Sequence, residues 1–525
     1  MHDYIVVGAG SAGCVVANRL SAKGARVLLL EAGGDDDDVN IRVPAFVENL
    51  MDSPHDWGYR TVPQAELLGR KIFLTRGRCL GGTSSMNFMV YMRGNRGDYD
   101  HWRQLGNQGW GYDDVLPYFV RSETNGRYRD KYHGTTGPLS VTDPAERNRL
   151  TELFMASAKE VGLPYTDDAN GATQEGYGYF QATKGAMGRC NTATAFLRPV
   201  MSRQNLTVVT HALTTRLIVE KGRAIGVEYL HDGRQETAHA ANEVVLCGGA
   251  INSPQLLLLS GIGPADELRS KGIGAIHDLP GVGKNLHDHL YAGSRFEAAE
   301  PLTIYGMSDA DITAAERQCL KDGTGPFATN YVEAGAFVRL DSASEYPDVQ
   351  MHFALFFMPN DYFDGTPPDR HGYLIAINVC RPRSRGDLRL HSSDPLDRPL
   401  IDPRYLSDPV DLDLTVRGLQ KAIEICGARP FSTVGGRQVF PAPEEKSDKA
   451  LINYIRRTGN TVWHPVGTCK MGHDPMAVVD DKLRVHGIAG LRVADASIMP
   501  EIVSSNTNAP CIMIGEKASD LVLGA

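Results

Sequence analysis

Hydrophobic and polar positions divide the chain into segments of different period. Tyr4–Val7 is a short continuous apolar run, the pattern of a parallel strand buried on both faces. Ala12–Leu20 carries helical periodicity, and Arg26–Leu30 is a second apolar run. From Leu206 to Val245 apolar and polar residues alternate, with breaks at Lys221-Gly222 and Asp232-Gly233, which predicts a β-meander. The meander runs into "EVVLCGGAINSPQLLLLSGIG", read as a strand, the pair Gly248-Gly249 and a helix. Residues from about 310 to 455 mix extended runs such as "YLIAINVCRPRSRGDLRL" with a helical stretch, Asp411–Cys426, and proline-rich turns. That mixture predicts a separate sheet-and-helix unit. Near the C-terminus "GLRVADASIMP" reads as a strand with Asp495 at its end, and a helix follows Asn508. The class predicted is α/β, or α+β overall. No internal repeat is visible.

The first two apolar runs enclose GxGxxG at Gly8, Gly10 and Gly13, and the second ends in Glu31. Strand, glycine turn, helix and a second strand ending in an acid make a dinucleotide-binding fingerprint. Gly8 serves the tight turn, Gly10 the approach of a pyrophosphate and Gly13 close helix–strand packing. The helix start offers free N–H groups and a positive dipole end to phosphate. A carboxylate at Glu31 suits ribose hydroxyls and disfavours a 2'-phosphate. The fingerprint serves FAD and NAD equally.

Composition narrows the class. With 525 residues, the chain is long enough for more than one domain. A net charge of -9 and the lack of a long basic run argue against a nucleic-acid partner. The acidic run Asp35–Asp38 reads as a solvated loop. Nine scattered cysteines without a CxxC pair suit a reducing compartment rather than a disulfide framework or zinc site. No segment reaches the ~20 apolar residues of a membrane span. A cytoplasmic protein is expected, with peripheral membrane contact left open.

Other stretches carry possible chemistry. "GRCLGGTSSMNFMVYMRG", Gly77–Gly94, is a second glycine-rich loop, where Ser84, Ser85 and Asn87 can donate hydrogen bonds. In "TVWHPVGTCKMG", Thr461–Gly472, Pro465 biases His464 toward extended backbone. From these residues alone His464 is a core histidine, a metal ligand or a base. "HDH", His287–His289, has no evident third ligand, so polar contacts near the cofactor are expected there rather than a metal. Arg381, Arg383 and Arg385 read as loop and salt-bridge residues.

Taken together, the fingerprint with Glu31, "GRCLGGTSSMNFMVYMRG", "GAINSPQLLLLSGIG", "LPGVGKNLHDH", "WHPVGTCKMG" and "GLRVADASIMP…SSNTNAPCIMIGEKASD" span almost the whole chain. In this order they resemble the glucose–methanol–choline (GMC) oxidoreductases. The resemblance implies a Rossmann-like FAD-binding domain built from residues 1–155, 206–305 and 459–525. It also implies a connecting segment at 156–205 and a substrate-binding domain at 306–458. It places FAD on Gly8, Gly10, Ser11, Ala12, Gly13, Glu31, Ala32, Gly82, Thr83, Asn87, Met89, Val90, Asp495, Ala496, Asn506 and Asn508. His464 resembles the family's base, Asn506 its second active-site residue, and Trp463 belongs to the substrate pocket. Where some members attach FAD through a histidine, this chain has Met86, so FAD is expected to be non-covalent. The implied reaction oxidises a primary alcohol (aryl, furan or aliphatic) to an aldehyde, with hydride to flavin N5 and the proton to His464. The likeness to hydroxymethylfurfural oxidases leans toward O2 as acceptor, giving H2O2. A quinone-linked alcohol or choline-type dehydrogenase is the alternative, ahead of a flavin-containing lyase or an NAD-dependent dehydrogenase.

Overall fold

The computed structural model describes residues 1–524 except 145, 187, 360–365 and 367. Its first sheet is organised by β1 (His2–Val7). This strand pairs in parallel with β2 (Val27–Leu30) on one side and with the end of Arg234–Leu246 on the other. Leu206–Val209 adds a parallel strand outside β2, and Leu491–Val493 runs parallel to Val244–Leu246. Ile5, Val6 and all four residues of β2 are buried, as unbroken apolar runs require in a sheet covered on both faces. Helix α1 (Gly13–Ala22) follows β1 and packs against the C-terminal helix Asn508–Leu523.

One expectation is corrected here. Leu206–Val209 is not the first strand of the meander but a parallel strand of the nucleotide-type sheet. His211, with φ of 54°, turns the chain before the meander proper begins at Ala212. The meander has three antiparallel strands, turning at the expected Lys221-Gly222 and Asp232-Gly233. The last is the same Arg234–Leu246 strand that pairs with β1, so the two features expected in succession share one strand. The acidic run also departs from a solvated loop. Asp35 and Asp37 are exposed, but Asp36 is buried, bonded by Asn191 Nδ2 at 2.9 Å and paired with Arg198.

A second sheet is antiparallel throughout. Its order is Arg437–Phe440, Leu290–Glu297, Gly372–Val379, Val349–Ala354, Ala334–Val338 and Gly176–Tyr179, with Asn460–Thr461 paired beside Leu290. The chain thus enters this sheet first at Gly176–Tyr179 and returns to it at Leu290. Period-two alternation gives the sheet two apolar faces. Met351, Phe353, Ile375 and Ile377 pack with residues of helix Pro409–Cys426. His352, Ala354, Leu374 and Ala376 face a cavity.

All nine cysteines are free. Among the described residues, no helix is long and apolar enough to cross a membrane. Arg381 lies 3.8 Å from Asp98 and Arg385 pairs with Glu501, the salt-bridge roles expected for that stretch.

Candidate active site

A cavity of ≈ 490 Å³ opens at the carboxyl ends of β1, β2 and Arg234–Leu246, where ligands bind in open parallel sheets. Gly8, Gly10, Ser11 and Ala12 bring the start of α1 to its wall. No side chain caps that helix, so its positive dipole end is uncompensated where it meets the cavity. Gly13 lies outside the wall. A Cβ there would stand 1.9 Å from the Gly8 carbonyl oxygen, so its task is helix–strand contact. Glu31 and Ala32 line the cavity beyond β2. The two Glu31 oxygens accept N–H bonds from Ala9 and Gly33, both at 2.9 Å, which fixes the carboxylate at the edge. Burial pushes its pKa up to about 7, against the pull of those N–H groups and of Arg78.

Gly82 and Thr83 present the second glycine-rich loop to the wall. Ser84 and Ser85 turn away from it, bonding the carbonyls of Gly81 (2.6 Å) and Leu80 (2.7 Å). Asp495, Ala496 and Asn508 also line the cavity. Asp495 accepts bonds from Gly249 N–H (2.9 Å), Ser253 Oγ (2.5 Å) and Ser497 Oγ (2.6 Å). One carboxylate thereby ties the C-terminal segment to the helix Gly249–Leu259.

The remaining expected residues meet in another part of the wall: Asn87, Met89, Val90, Trp463, His464 and Asn506. Trp463 has φ of 62°, an unusual conformation for a bulky residue. It is held by an N–H bond to Thr461 Oγ1 (2.6 Å) and by Arg76, which donates to its carbonyl at 2.5 Å. His464 follows in extended form, its N–H on Asp288 Oδ1 at 2.8 Å. Asp288 also accepts Tyr405 OH and Thr461 OH, both at 2.5 Å.

Hydrogen bonds fix the protonation pattern of this cluster. The carbonyl of Cys380 can only accept, so the proton on His289 sits at Nε2, 3.0 Å away. A neutral His289 then offers a lone pair at Nδ1, and His464 donates its Nδ1–H to it across 3.0 Å. His464 Nε2 is left as a lone pair, 3.3 Å from the Asn506 amide nitrogen. The Asn506 oxygen accepts from Gln350 Nε2 (2.9 Å) and His352 Nε2 (3.4 Å), so its NH2 faces His464. Burial lowers the pKa of His289 and of His352 to about 4. His464 lies well below its ordinary value, through burial first and then through His289, His352 and Arg76. All three rings are neutral at pH 7.

Asp288, His289, Gln350 and His352 were not assigned these roles from sequence. His289 and Asp288 were visible in "HDH", but their target, His464, lies 175 residues on. Gln350 and His352 had a signal in the polar residues at every second position of "VQMHFA".

Two family models match the chain, both described as GMC oxidoreductase, over residues 2–291 and 382–515. The chain is a GMC oxidoreductase. It is 41% identical to an alcohol dehydrogenase [acceptor] of Pseudomonas putida, over 100% of this chain and 96% of the relative. It is 40% identical to the mitochondrial choline dehydrogenase of Mus musculus, over 100% and 89%. A crystal structure of pyridoxine 4-oxidase from Mesorbium loti superposes with a TM-score of 0.89 at 32% identity, covering 99% of this chain and 98% of that one.

GMC oxidoreductases bind FAD, and the residues of this GMC oxidoreductase fit that group. The uncapped start of α1 suits a pyrophosphate, and a Cβ on Gly10 would meet nothing closer than 3.9 Å, so the space beside it is open. Arg78 Nε is buried on the same wall with no protein hydrogen-bond partner. The chain is thus an FAD-dependent oxidoreductase of alcohol CH–OH groups.

Proposed function

We propose that the protein oxidises a primary alcohol to its aldehyde, with His464 as the base. The observation that carries this reading is the His289–His464–Asn506 chain, which leaves a neutral imidazole lone pair and an amide N–H side by side. An alcohol oxygen placed between them donates its proton to His464 Nε2 and accepts a bond from Asn506 Nδ2. Nδ1 keeps its proton on His289 throughout, so the charge formed on His464 is oriented and stabilised by a neutral acceptor. FAD held on this wall would supply the hydride acceptor, with O2 as the oxidant that would restore it and H2O2 as the product.

Gly8, Gly10, Ser11, Ala12, Glu31, Ala32, Gly82 and Thr83 are assigned to the nucleotide, and Asp495, Ala496 and Asn508 to the chain toward the ring. Asn87, Met89 and Val90 are assigned to the ring itself. Non-covalent attachment is supported by Met86 on the cavity wall and by the lack of any histidine in Gly77–Gly94. A quinone-type acceptor is the second reading, favoured by the name of the Pseudomonas relative, alcohol dehydrogenase [acceptor]. Nine unpaired cysteines support a cytoplasmic location.

The test is anaerobic mixing of the purified protein with primary alcohols while following the flavin band, then admission of air. Bleaching reversed by air with stoichiometric peroxide is the expected result. Bleaching that only a quinone reverses would replace O2 by a carrier, and no bleaching with any alcohol would sink the reading. Asn506→Ala is expected to lower kcat/KM roughly 10²-fold by removing the donor to the alkoxide-like oxygen.

A pH profile checks the base independently. His464 has a folded pKa below 6.5, so its acceptor form is full above that pH and is lost only beneath the depressed value. The expected kcat/KM is level from neutrality down through 6.5 and falls only beneath the depressed value. An inflection above neutrality would contradict the burial of this imidazole as its controlling environment.

A further inference from the structure

Resting on the reading of His464 as the base, we propose that the substrate end of the cavity takes uncharged apolar alcohols and turns away quaternary ammonium alcohols. The overall likeness to choline dehydrogenases points the other way, so the wall itself has to decide. Around His464 and Asn506 it is built from Phe88, Val332, Phe356, Leu374, Val462 and Trp463. Ala354 and Ala376 complete it, set inward by the alternation of their strands. Phe88 and Trp463 lie nearly parallel, 11° apart with centroids at 6.2 Å, giving one side a flat aromatic face.

A permanent cation entering this space loses its water and needs a counter-charge. Among the described residues, the wall's carboxylates are Glu31, Asp397 and Asp495. Glu31 is fixed on Ala9 and Gly33, Asp495 on Gly249 and Ser253, and Asp397 on Ser392. None of them is among the groups whose charge bears on His464, which are His289, His352 and Arg76. Asp288 and Asp56, behind the wall, have their oxygens already taken. Asp288 holds His464, His289, Tyr405 and Thr461, and Asp56 holds Thr75, Arg76, Gly58 and Asp52. Of the cations on the wall, Arg76, Arg78 and Arg398, the one whose charge bears on His464 is Arg76, of the same sign as an ammonium. Aromatic faces attract a cation, but far less than a contacting carboxylate would. An uncharged alkyl or aryl group meets none of these costs and covers the same apolar surface.

The experiment compares choline with 3,3-dimethylbutan-1-ol, which has the same shape with carbon in place of the charged nitrogen, and with benzyl alcohol. The holoenzyme is assayed for kcat/KM and for anaerobic flavin reduction. Both uncharged alcohols are expected to exceed choline by about 100-fold or more. Equal or better use of choline, with reduction still abolished in His464→Ala, would overturn this inference and leave the base assignment standing. Failure of all three alcohols to reduce the flavin would overturn both.

Discussion

Replacing His464 by alanine is expected to slow anaerobic flavin reduction by a primary alcohol roughly 10²–10⁴-fold, while the protein keeps its FAD. The size of the loss follows from the geometry around the ring. His464 Nε2 is the lone pair that Asn506 Nδ2 faces at 3.3 Å, and its tautomer is set from behind by His289. His352, the other histidine of this wall, is bonded through Nε2 to the Asn506 oxygen and carries a pKa of about 4. Its Nε2 already donates to Asn506, so that nitrogen has no lone pair with which to stand in. Retention of FAD follows because the residues proposed for the nucleotide lie at the start of α1 and beyond β2. Stopped-flow reduction traces at matched flavin absorbance check this. A loss under tenfold would mean that the alcohol proton leaves by another route, and loss of the flavin band would mean that His464 holds the cofactor rather than acting on substrate.

What the sequence showed of this site depended on how local the determining contacts are. β1, α1, β2 and Glu31 lie within one short stretch, so period and glycine spacing alone placed them. The meander's two tight turns were equally local. Leu206–Val209 was not, because its partner is β2, some 180 residues earlier, and a four-residue run with three apolar members fits a parallel or an antiparallel strand equally well. Asp36 shows the same limit within a charge run: its neighbours are exposed, and only the distant Asn191 and Arg198 reveal it as buried. His464 and Asn506 were found through the resemblance, since a histidine before a proline has no chemical meaning by itself. The supporting layer of Asp288, His289, Gln350 and His352 comes from one loop and one distant strand, Val349–Ala354. Its function exists only once the second sheet brings them together, which no local pattern records.

Exchanging glycine for alanine within the fingerprint is expected to separate folding from cofactor binding, depending on which glycine is changed. At Gly13 the added Cβ would sit 1.9 Å from Gly8 O and 3.1 Å from the Cys247 side chain, both inside the buried junction of β1, α1 and Arg234–Leu246. Real Cβ atoms do not approach a carbonyl oxygen that closely, so α1 has to move off the sheet. Close packing passes such a shift on to its neighbours, and Gly13→Ala should be recovered poorly or melt well below the wild type. At Gly10 the nearest protein atom to the same methyl would be Cys247 O, at 3.9 Å. Nothing in the protein needs that glycine. On the proposed placement of FAD, what needs it is the pyrophosphate at the uncapped start of α1. Gly10→Ala should therefore fold as stably as the wild type stripped of FAD, yet purify colourless or with at least tenfold weaker FAD binding, the order of a lost close contact at the phosphates. Thermal melts of both variants beside the stripped wild type, with the ratio of flavin to protein absorbance, decide it. A yellow Gly10→Ala protein would move the pyrophosphate away from α1, and a stable Gly13→Ala protein would show that the junction of helix and sheet is looser than its distances imply.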